Sequence, residues 1–526
     1  MSYEVEQKVN GRTYVYLVDS YWDKDKQQPR QKRTYLGRKD ERSGKIVSTK
    51  KSSKPKGSYR FGSVYFLIKI VKKLKLSKVL RLVFPDDYLK YLALAFFKVV
   101  ESDPYYLYDL WQEDNYIFEE STIGSQRISE LLLELGKDEK GIEQFFGEWI
   151  KLNDSATSVM FDITSISSYS EHNELVELGY NRDKEKLEQV NIGIISREGC
   201  KDALQLPLAY RIYSGSIPDV VTLKNVISLI GTYELNLSCF VMDKGFYSQQ
   251  NIKDMHKKCL KFLIPLPFST SLAKELASNF DGEINSPLVT FSFHSKVYSH
   301  FKKRIKINGV TCTAHMYLDK ERKAREENKL MQKITELEKV FCDKKFKSQA
   351  QAEQYIIETL KSKKKFFVIR KKQSTFLITR NKKIISQELL LMGKVILITN
   401  SNKIDKDNAL KLYRSKDGIE KVFLSMKHHI NEKRSRTKSS STMKGNAFIN
   451  FLALIILAYV DQIMSENHLY KKFSKNVLFK TLDKLKVFEL ANEQILLGEI
   501  SKRQKIIMEA FKLSKKIQPS YNLAGF

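Results

Sequence analysis

The sequence predicts a mixed α/β fold, and three observations support this prediction. Between residues 155 and 262, short apolar runs and one amphipathic stretch follow each other in the order strand, strand, strand, helix, strand. Residues 59–150 and 405–512, on either side, carry apolar side chains at three- and four-residue steps, which is typical of helices. Residues 262–395 mostly form strand-like runs. With 526 residues, 42% of them hydrophobic, the chain is long enough for about three domains with a buried core.

The first 58 residues predict a small β unit followed by a basic linker. Two aromatic and β-branched stretches, TYVYLVDSYWD and KRTYLGRKD, are joined by the polar segment DKDKQQPRQ, which favours a hairpin. The Lys- and Ser-rich stretch from Lys45 to Ser58 is typical of a linker. Residues 59–150 then predict several short helices, and a DNA-binding module and a plain helical bundle are equally good interpretations of them.

The chain is strongly basic, with 91 Lys and Arg residues against 61 Asp and Glu residues and a net charge of +30. Such an excess is self-repulsive, and a polyanion such as DNA relieves the repulsion and releases counterions on binding. An AT-rich coding sequence, which inflates lysine usage, is the alternative explanation. The charge therefore favours a nucleic-acid partner without establishing one.

The cysteine pattern and the apolar runs predict a cytoplasmic protein without a membrane span. The five cysteines lie far apart and form no CxxC pair, which favours reduced thiols, and the N-terminus has no apolar signal core. The most apolar run, Ala447 to Val460, has 14 residues, whereas a span needs about 20, so we expect a buried core helix. No GxxxxGK[ST] phosphate loop occurs, so no nucleotide cofactor is expected.

Two aspartates stand in matching strand contexts. Asp162 lies within the apolar run VMFDITSI, and Asp243 follows the apolar run CFVM. An unpaired buried carboxylate is costly, so each needs a cation or strong hydrogen-bond donors. If the two strands are paired, both carboxylates can meet at one sheet edge and offer the oxygen ligands that Mg²⁺ prefers. A strand-end turn or a helix cap is the alternative role for either aspartate taken alone.

The stretch from Asp162 to Ser248 resembles the ribonuclease H-like core of DDE transposases of the insertion-sequence-four superfamily, in particular its 1634-like branch. VMFDITSI resembles the strand of the first catalytic Asp, and VMDKGFYS resembles the strand of the second with its G-[FY]-[FY]-S tail. SGSIPDVVTL resembles the GN-x2-[DE]-x2-TL segment, with Ser216 in place of the usual Asn. The N-terminal motifs also look like this branch, so the similarity spans most of the chain.

A helical signature of the superfamily, Y-x2-R-x3-E-x6-K, extends the resemblance. Tyr413, Glu420 and Lys427 match it in register, and Lys416 stands at the position of the Arg. Arg414, two residues earlier, is the alternative for that role. Lys416, Glu420 and Lys427 are spaced by 4 and 7 residues, which predicts one shared helix face. A solvated Lys–Glu pair is the ordinary alternative for such a spacing.

The resemblance implies a catalytic site, cofactors and partners. Asp162, Asp243 and Glu420 would ligate two Mg²⁺ ions, with Mn²⁺ able to substitute, and would catalyse cleavage at the ends of the element and strand transfer into target DNA. The residues expected to contact DNA are Tyr413, Arg414, Lys416, Lys427, Lys433, Arg434, Arg436 and Lys438. The implied partner is double-stranded DNA, both the terminal inverted repeats and the target. A homodimer would bind it in the bacterial cytoplasm, associated with the nucleoid.

The implied fold is a ribonuclease H-like core interrupted by a mostly β insertion and preceded by an N-terminal β unit and a helical region. The expected segments are a β unit with its linker at 1–58, a probable DNA-binding helical region at 59–150, the first part of the core at 155–262, the insertion at 263–395 and the helical completion of the core at 400–515. Two rival functions stay open. One is a metal-dependent nuclease that cuts without joining, and the other is a non-catalytic DNA-binding protein derived from a transposase.

Overall fold

The structure is a computed structural model that describes residues 2–9, 11–23, 27–40, 44–47, 55–118, 121–153, 157–170, 173–198, 205–233, 235, 237–284, 286–341, 344–372, 374–490, 494–513 and 517. The chain divides into two compact units. The first combines residues 1–69, 110–119 and 474–525, and the second combines residues 70–109 and 120–473. The expected segments 59–150 and 400–515 therefore each contribute to both units.

The described part of residues 1–60 is built from strands. They are β1 (Ser2–Val9), β2 (Arg12–Asp23), β3 (Gln28–Lys39), β4 (Ile46–Val47) and β5 (Pro55–Arg60). Strands β1 to β4 form an antiparallel sheet in chain order. The pairing of β2 with β3, which ends with Asp23 opposite Gln28, confirms the hairpin expected from their aromatic and β-branched residues.

Between residues 62 and 153 the described chain forms six α-helices, as the spacing of the apolar residues predicts. They are α1 (Gly62–Lys73), α2 (Leu76–Val83), α3 (Tyr88–Val100), α4 (Tyr108–Asp114), α5 (Ser125–Lys137) and α6 (Glu139–Asn153). Helix α3 is almost wholly buried, whereas α5 buries one face. Trp149 of α6 is fully buried, and its indole N–H donates to the carbonyl of Pro207 at 2.9 Å. This contact packs the helical region against the residues that follow it.

Residues 157–265 contain the strand, strand, strand, helix, strand order that the sequence predicts. The elements are β6 (Thr157–Ser168), β7 (Gln189–Arg197), β8 (Leu206–Ser214), α7 (Asp219–Thr232), β9 (Leu237–Met242), α8 (Gln249–Lys257) and β10 (Phe262–Pro265). Their order in the sheet is β8-β7-β6-β9-β10. The first three strands are antiparallel, and β9 and β10 run parallel to β6. This is the topology of a ribonuclease H-like core, so the predicted fold class is confirmed.

The segment after β10 continues the same sheet and adds helices. Its elements are α9 (Ser271–Asn279), α10 (Asp281–Ile284), β11 (Thr290–Phe293), β12 (Lys296–Ile307), β13 (Val310–Asp319), α11 (Lys320–Lys339), α12 (Gln349–Leu360), β14 (Phe367–Lys372), β15 (Thr375–Arg380), α13 (Lys382–Leu391) and β16 (Lys394–Thr399). Strand β16 pairs with β10, and the sheet continues through β13 and β12 to β11. Elements α11 to α13 surround a second small core that includes Phe341 and Phe366. The inserted strands thus widen the core sheet.

The remaining described chain is mainly helical. Its elements are α14 (Lys406–Ser415), α15 (Asp417–Leu424), a π-helical turn (Ser425–His429), β17 (Arg434–Ser435), α16 (Ser440–Glu466), α17 (Lys475–Leu482), β18 (Lys486–Leu490), β19 (Ile495–Leu497) and α18 (Lys502–Ala510). Strand β17 pairs with the end of β6. Strand β18 pairs with β5 and β19, and Val487 packs with Phe61 in the core of the first unit.

Helix α16 is the buried core helix that the apolar run predicts. It is long and apolar enough to cross a membrane, with a mean hydropathy of 1.9 over its most apolar window, but 83% of that window is buried inside the protein. It packs so closely on α5 that a Cβ at Gly445 would lie 2.0 Å from the carbonyl oxygen of Leu132. A Cβ at Gly136 would lie 1.7 Å from the carbonyl of Ser441. The two glycines therefore permit a backbone-to-backbone contact in the core.

Replacing Gly445 by alanine is expected to lower the free energy of unfolding by about 1–3 kcal/mol or more, because the backbone of α5 has to move away. Urea unfolding followed by circular dichroism measures the change. Gly231→Ala in α7 is the control, since a Cβ at Gly231 would have no described atom within 4 Å of it. That control is expected to change stability by less than about 1 kcal/mol. Equal effects of the two substitutions would contradict the close packing of α16 on α5.

Candidate active site

Asp162 and Asp243 lie side by side on neighbouring strands. Asp162 is in the middle of β6, and Asp243 directly follows β9. The parallel register pairs Phe161 with Met242, so the next residue on each strand is one of the two aspartates. The strand pairing therefore places the two aspartates next to each other, with Asp162 within β6 and not at its end.

Burial dominates the electrostatics of Asp162, which is 5% exposed. Burial raises the pKa of its carboxyl to about 6, although Lys416, Arg182 and a hydrogen bond from the backbone N–H of Ile163 act in the opposite direction. The N–H of Ile163 donates to Oδ1 of Asp162 at 2.9 Å. Asp243 contributes a smaller repulsion that also raises this pKa. A buried carboxyl with such a pKa favours a cationic partner.

Glu420 joins the two aspartates through Lys416. The ammonium of Lys416 lies 3.3 Å from Oδ1 of Asp243 and 3.4 Å from Oε1 of Glu420. Burial lowers the pKa of Lys416, but the charges of Asp162, Asp243 and Glu420 outweigh burial and raise it. The side chain of Glu420 is 57% exposed, so it can reorient more freely than Asp162.

Lys416 and Glu420 lie together, as their spacing predicts, but Lys427 does not share their helix face, which corrects that part of the expectation. Helix α14 carries Tyr413 and ends before Lys416, and α15 carries Glu420. Lys427 lies in the π-helical turn, whose wider turn shifts it out of α-helical register. Its ammonium is buried and lies 2.6 Å from Oδ2 of Asp183.

Lys416, rather than Arg414, occupies the place of the signature Arg beside the carboxylates. The guanidinium of Arg414 donates instead to the hydroxyl of Tyr298 at 2.7 Å. Tyr413, Arg414, Lys416 and Glu420 line one cleft together with Tyr298 of β12. The cleft is therefore shared between the core helices and the inserted strands.

Arg182 is a site residue that the sequence reasoning missed. Its guanidinium lies 3.5 Å from Oδ1 of Asp162 and 2.5 Å from Oδ2 of Asp219. Asp219 is the acidic residue of the SGSIPDVVTL segment, and a Cβ at Gly245 would lie 3.0 Å from its carboxylate. The available signal was the charged run NRDKEK between two predicted strands, which by itself is typical of a solvated loop.

The predicted DNA-contacting residues beyond Lys427 fall into ion-paired and cleft-lining positions. Lys433 and Arg434 lie 3.0 and 3.1 Å from Oε1 of Glu185. Hydrogen bonds from Arg434, Ser167 and Lys433 lower the pKa of Glu185 to about 2. Basic residues of this segment also line a second cleft, together with a lysine and two tyrosines of the helical region. We call it the basic cleft. Its basic and aromatic lining residues are Lys98, Tyr105, Tyr106, Lys433, Arg434, Arg436 and Lys438.

The three carboxylates are chemically suited to a divalent ion, and each of them is contacted by a cationic side chain. Within the described residues, no group of three or more His, Cys, Asp and Glu side chains is close enough to hold one metal ion. Arg182 contacts Asp162, and Lys416 contacts Asp243 and Glu420. Positive charge is thus already accommodated at all three carboxylates. Hard oxygen ligands of this kind are the ligands that divalent ions such as Mg²⁺ prefer.

The comparison with protein families points to a transposase. Residues 199–456 match the family described as transposase DDE domain, which supports a DDE transposase. This range includes Asp243 and Glu420 and begins after Asp162. Members of this family generally use divalent metal ions. The match does not single out the insertion-sequence-four branch.

One similar solved structure is the piggyBac transposase in a synaptic complex with hairpin DNA, determined by cryo-electron microscopy. The two chains are 10% identical, with a TM-score of 0.36, and the likeness covers 84% of this chain and 78% of the other. No curated protein matches this chain.

Proposed function

We propose that this protein is a DNA transposase that cleaves the ends of an insertion element and joins them to target DNA, with Asp162, Asp243 and Glu420 as its catalytic carboxylates. The observation that carries the proposal is the placement of Asp162 beside Asp243 on parallel strands, with Lys416 linking Asp243 to Glu420. The match of residues 199–456 to the transposase DDE domain supports it.

We propose that the protein uses two Mg²⁺ ions, with Mn²⁺ able to substitute. When bound, such ions would activate water or a DNA 3′-hydroxyl and stabilise the leaving oxygen. Asp162, Asp243 and Glu420 are the residues that would hold them. The chain's own contribution is position and charge. Asp162 is fixed by its strand and by the N–H of Ile163, whereas the exposed Glu420 is placed by α15.

Basic residues that line the two clefts would bind the DNA backbone. Lys416, with Tyr413 in the same cleft, would contact the phosphate at the scissile end after its ion pair with Asp243 opens. The basic cleft, with its lysines, arginines and exposed Tyr106, suits a longer stretch of duplex. The excess of 30 positive charges supports the same partner. Lys427 would contribute only after its ion pair with Asp183 opens.

The finer features of the proposal follow the sequence resemblance. We place the protein in the insertion-sequence-four superfamily, acting in the bacterial cytoplasm on nucleoid DNA. The N-terminal region and the basic residues near Arg436 would recognise terminal inverted repeats. A homodimer would hold two ends together, because joining both ends of an element to one target needs two active sites near each other.

A supercoiled-plasmid assay tests the function. The donor plasmid carries the inverted repeats identified in the DNA that flanks the reading frame, and the target plasmid carries none. With Mg²⁺ the protein is expected to release the element and to yield joined products, and without Mg²⁺ to yield neither. Cleavage without joining would favour a nuclease, and DNA binding without cleavage would favour a non-catalytic protein.

A further inference from the structure

The segment Asn181–Glu185 lies between β6 and β7 and is anchored beside the candidate active site. The amide of Asn181 donates to the hydroxyl of Ser167 at 3.1 Å, and that hydroxyl donates to the carboxylate of Glu185 at 2.6 Å. The backbone N–H of Asp183 donates to Oδ1 of Asn181 at 2.8 Å. The ion pair of Asp183 with the buried Lys427 adds a further anchor. Residue 182 is therefore held in a defined place.

Arg182 projects from this segment toward two carboxylates. Its contact with Asp219 is short, at 2.5 Å, and its contact with Asp162 is longer, at 3.5 Å. The side chain of Asp162 is 7% exposed, so solvent screens the attraction only weakly, whereas Arg182 is 30% exposed. The guanidinium thus supplies part of the positive charge beside the buried Asp162, and Lys416 supplies the larger part.

We infer that Arg182 is a positioning residue that acts through Asp162 and competes with the divalent ion for its carboxylate. The inference rests on the proposed function, because it assumes that Asp162 is a metal ligand. A divalent ion bound to Asp162 would neutralise its carboxylate in place of the guanidinium of Arg182. When Arg182 separates from Asp162 it keeps its ion pair with Asp219, which is its nearer partner.

Asp219 therefore has the opposite effect to Arg182. It draws the guanidinium toward itself and away from Asp162, so it favours metal binding. Removal of Asp219 leaves Asp162 as the carboxylate that attracts Arg182. A merely structural role of this pair would instead make both substitutions weaken the metal site, because both would disturb the surroundings of Asp162.

A Mn²⁺ titration of the full chain, free of DNA and followed by calorimetry, tests the inference. Arg182→Gln is expected to tighten Mn²⁺ binding by about tenfold at low ionic strength, because a positive charge is removed beside the ligand. Asp219→Asn is expected to weaken binding by about threefold or more. The double variant is expected to bind like Arg182→Gln alone. Arg211→Gln is the matched control, since Arg211 makes an exposed ion pair with Glu143 at 3.1 Å, and its affinity is expected to equal that of the parent.

Unchanged or weaker Mn²⁺ binding by Arg182→Gln would overturn the inference. A double variant that binds Mn²⁺ more weakly than Arg182→Gln would also overturn it, because Asp219 would then be a metal ligand. If Arg182→Gln does not fold, the Mn²⁺ affinity of Asp219→Asn is the test. An affinity equal to that of the parent would then contradict the inference. Failure of the proposed function looks different, because the parent protein and Asp162→Asn would then bind Mn²⁺ alike.

Discussion

Replacement of Glu420 by glutamine in the full chain is expected to lower the rates of DNA cleavage and joining by at least about a hundredfold. Glutamine keeps the shape of the side chain but removes the negative charge that pairs with Lys416 at 3.4 Å. A carboxylate that helps to hold metal at the scissile phosphate cannot be replaced by a neutral amide without losing charge stabilisation. Single-turnover rates on a labelled duplex that ends in the terminal repeat measure both steps.

Glu358→Gln is the control for this experiment, because Glu358 is an exposed glutamate of α12 that does not line the cleft of Glu420 and accepts a hydrogen bond from Gln354 at 2.9 Å. Its rates are expected to stay within about threefold of the parent. DNA binding by Glu420→Gln, measured by fluorescence anisotropy, is expected to be no weaker than that of the parent. A Glu420→Gln protein that joins DNA at the rate of the control would remove Glu420 from the site and leave Asp162 and Asp243 without a third carboxylate.

The placement of Asp162 and Asp243 follows from the sequence because their neighbours leave little choice. Each aspartate adjoins a short apolar run that only a buried strand accommodates, and a carboxylate in that setting calls for a partner. The five-element order around them fixes the central sheet, because antiparallel neighbours and one helical crossover generate the order β8-β7-β6-β9. Local pattern was sufficient for this part of the site.

The position of Lys427 does not follow from the sequence because a contact distant in the chain decides it. Its pairing with Asp183 joins residues 244 positions apart, and the π-helical turn that carries Lys427 interrupts the helical spacing. Arg182 escapes prediction for the same reason, since its partner Asp219 is 37 residues away in a segment of ordinary composition. Charged residues in loops are mostly solvated, so pattern alone cannot single out these pairs.

The position of the inserted strands in the sheet is also set by tertiary contacts. The alternation in residues 290–319 and the apolar run of β16 predict strands, but nothing local predicts which edge they join. Pairing of β16 with the short β10, from Leu263 opposite Thr399, places the insertion on the core sheet. This pairing brings Tyr298 of β12 into the cleft beside Arg414.

Replacing Asp162 by asparagine is expected to stabilise the metal-free protein at pH 8 by about 2–3 kcal/mol. Burial raises the pKa of Asp162 from its ordinary 3.8 to about 6, and one pKa unit corresponds to about 1.4 kcal/mol. A carboxyl whose folded-state pKa is raised favours folding while protonated, below about pH 4, and loses that contribution as the pH rises through about 6. Asparagine is neutral throughout and retains an oxygen to accept the N–H of Ile163.

Urea unfolding in the presence of a chelator at pH 5 and pH 8 measures the effect, with the exposed Asp407→Asn as the control. The difference in unfolding free energy between Asp162→Asn and the parent is expected to grow from pH 5 to pH 8, while that of the control stays constant. The attractions of Lys416 and Arg182 are already contained in the raised pKa, so their loss does not reverse the sign. A parent protein more stable than Asp162→Asn at pH 8 would mean that these two cations outweigh burial. A stabilising Asp162→Asn substitution that also abolishes joining would show that the charged Asp162 is kept for chemistry at the expense of the fold.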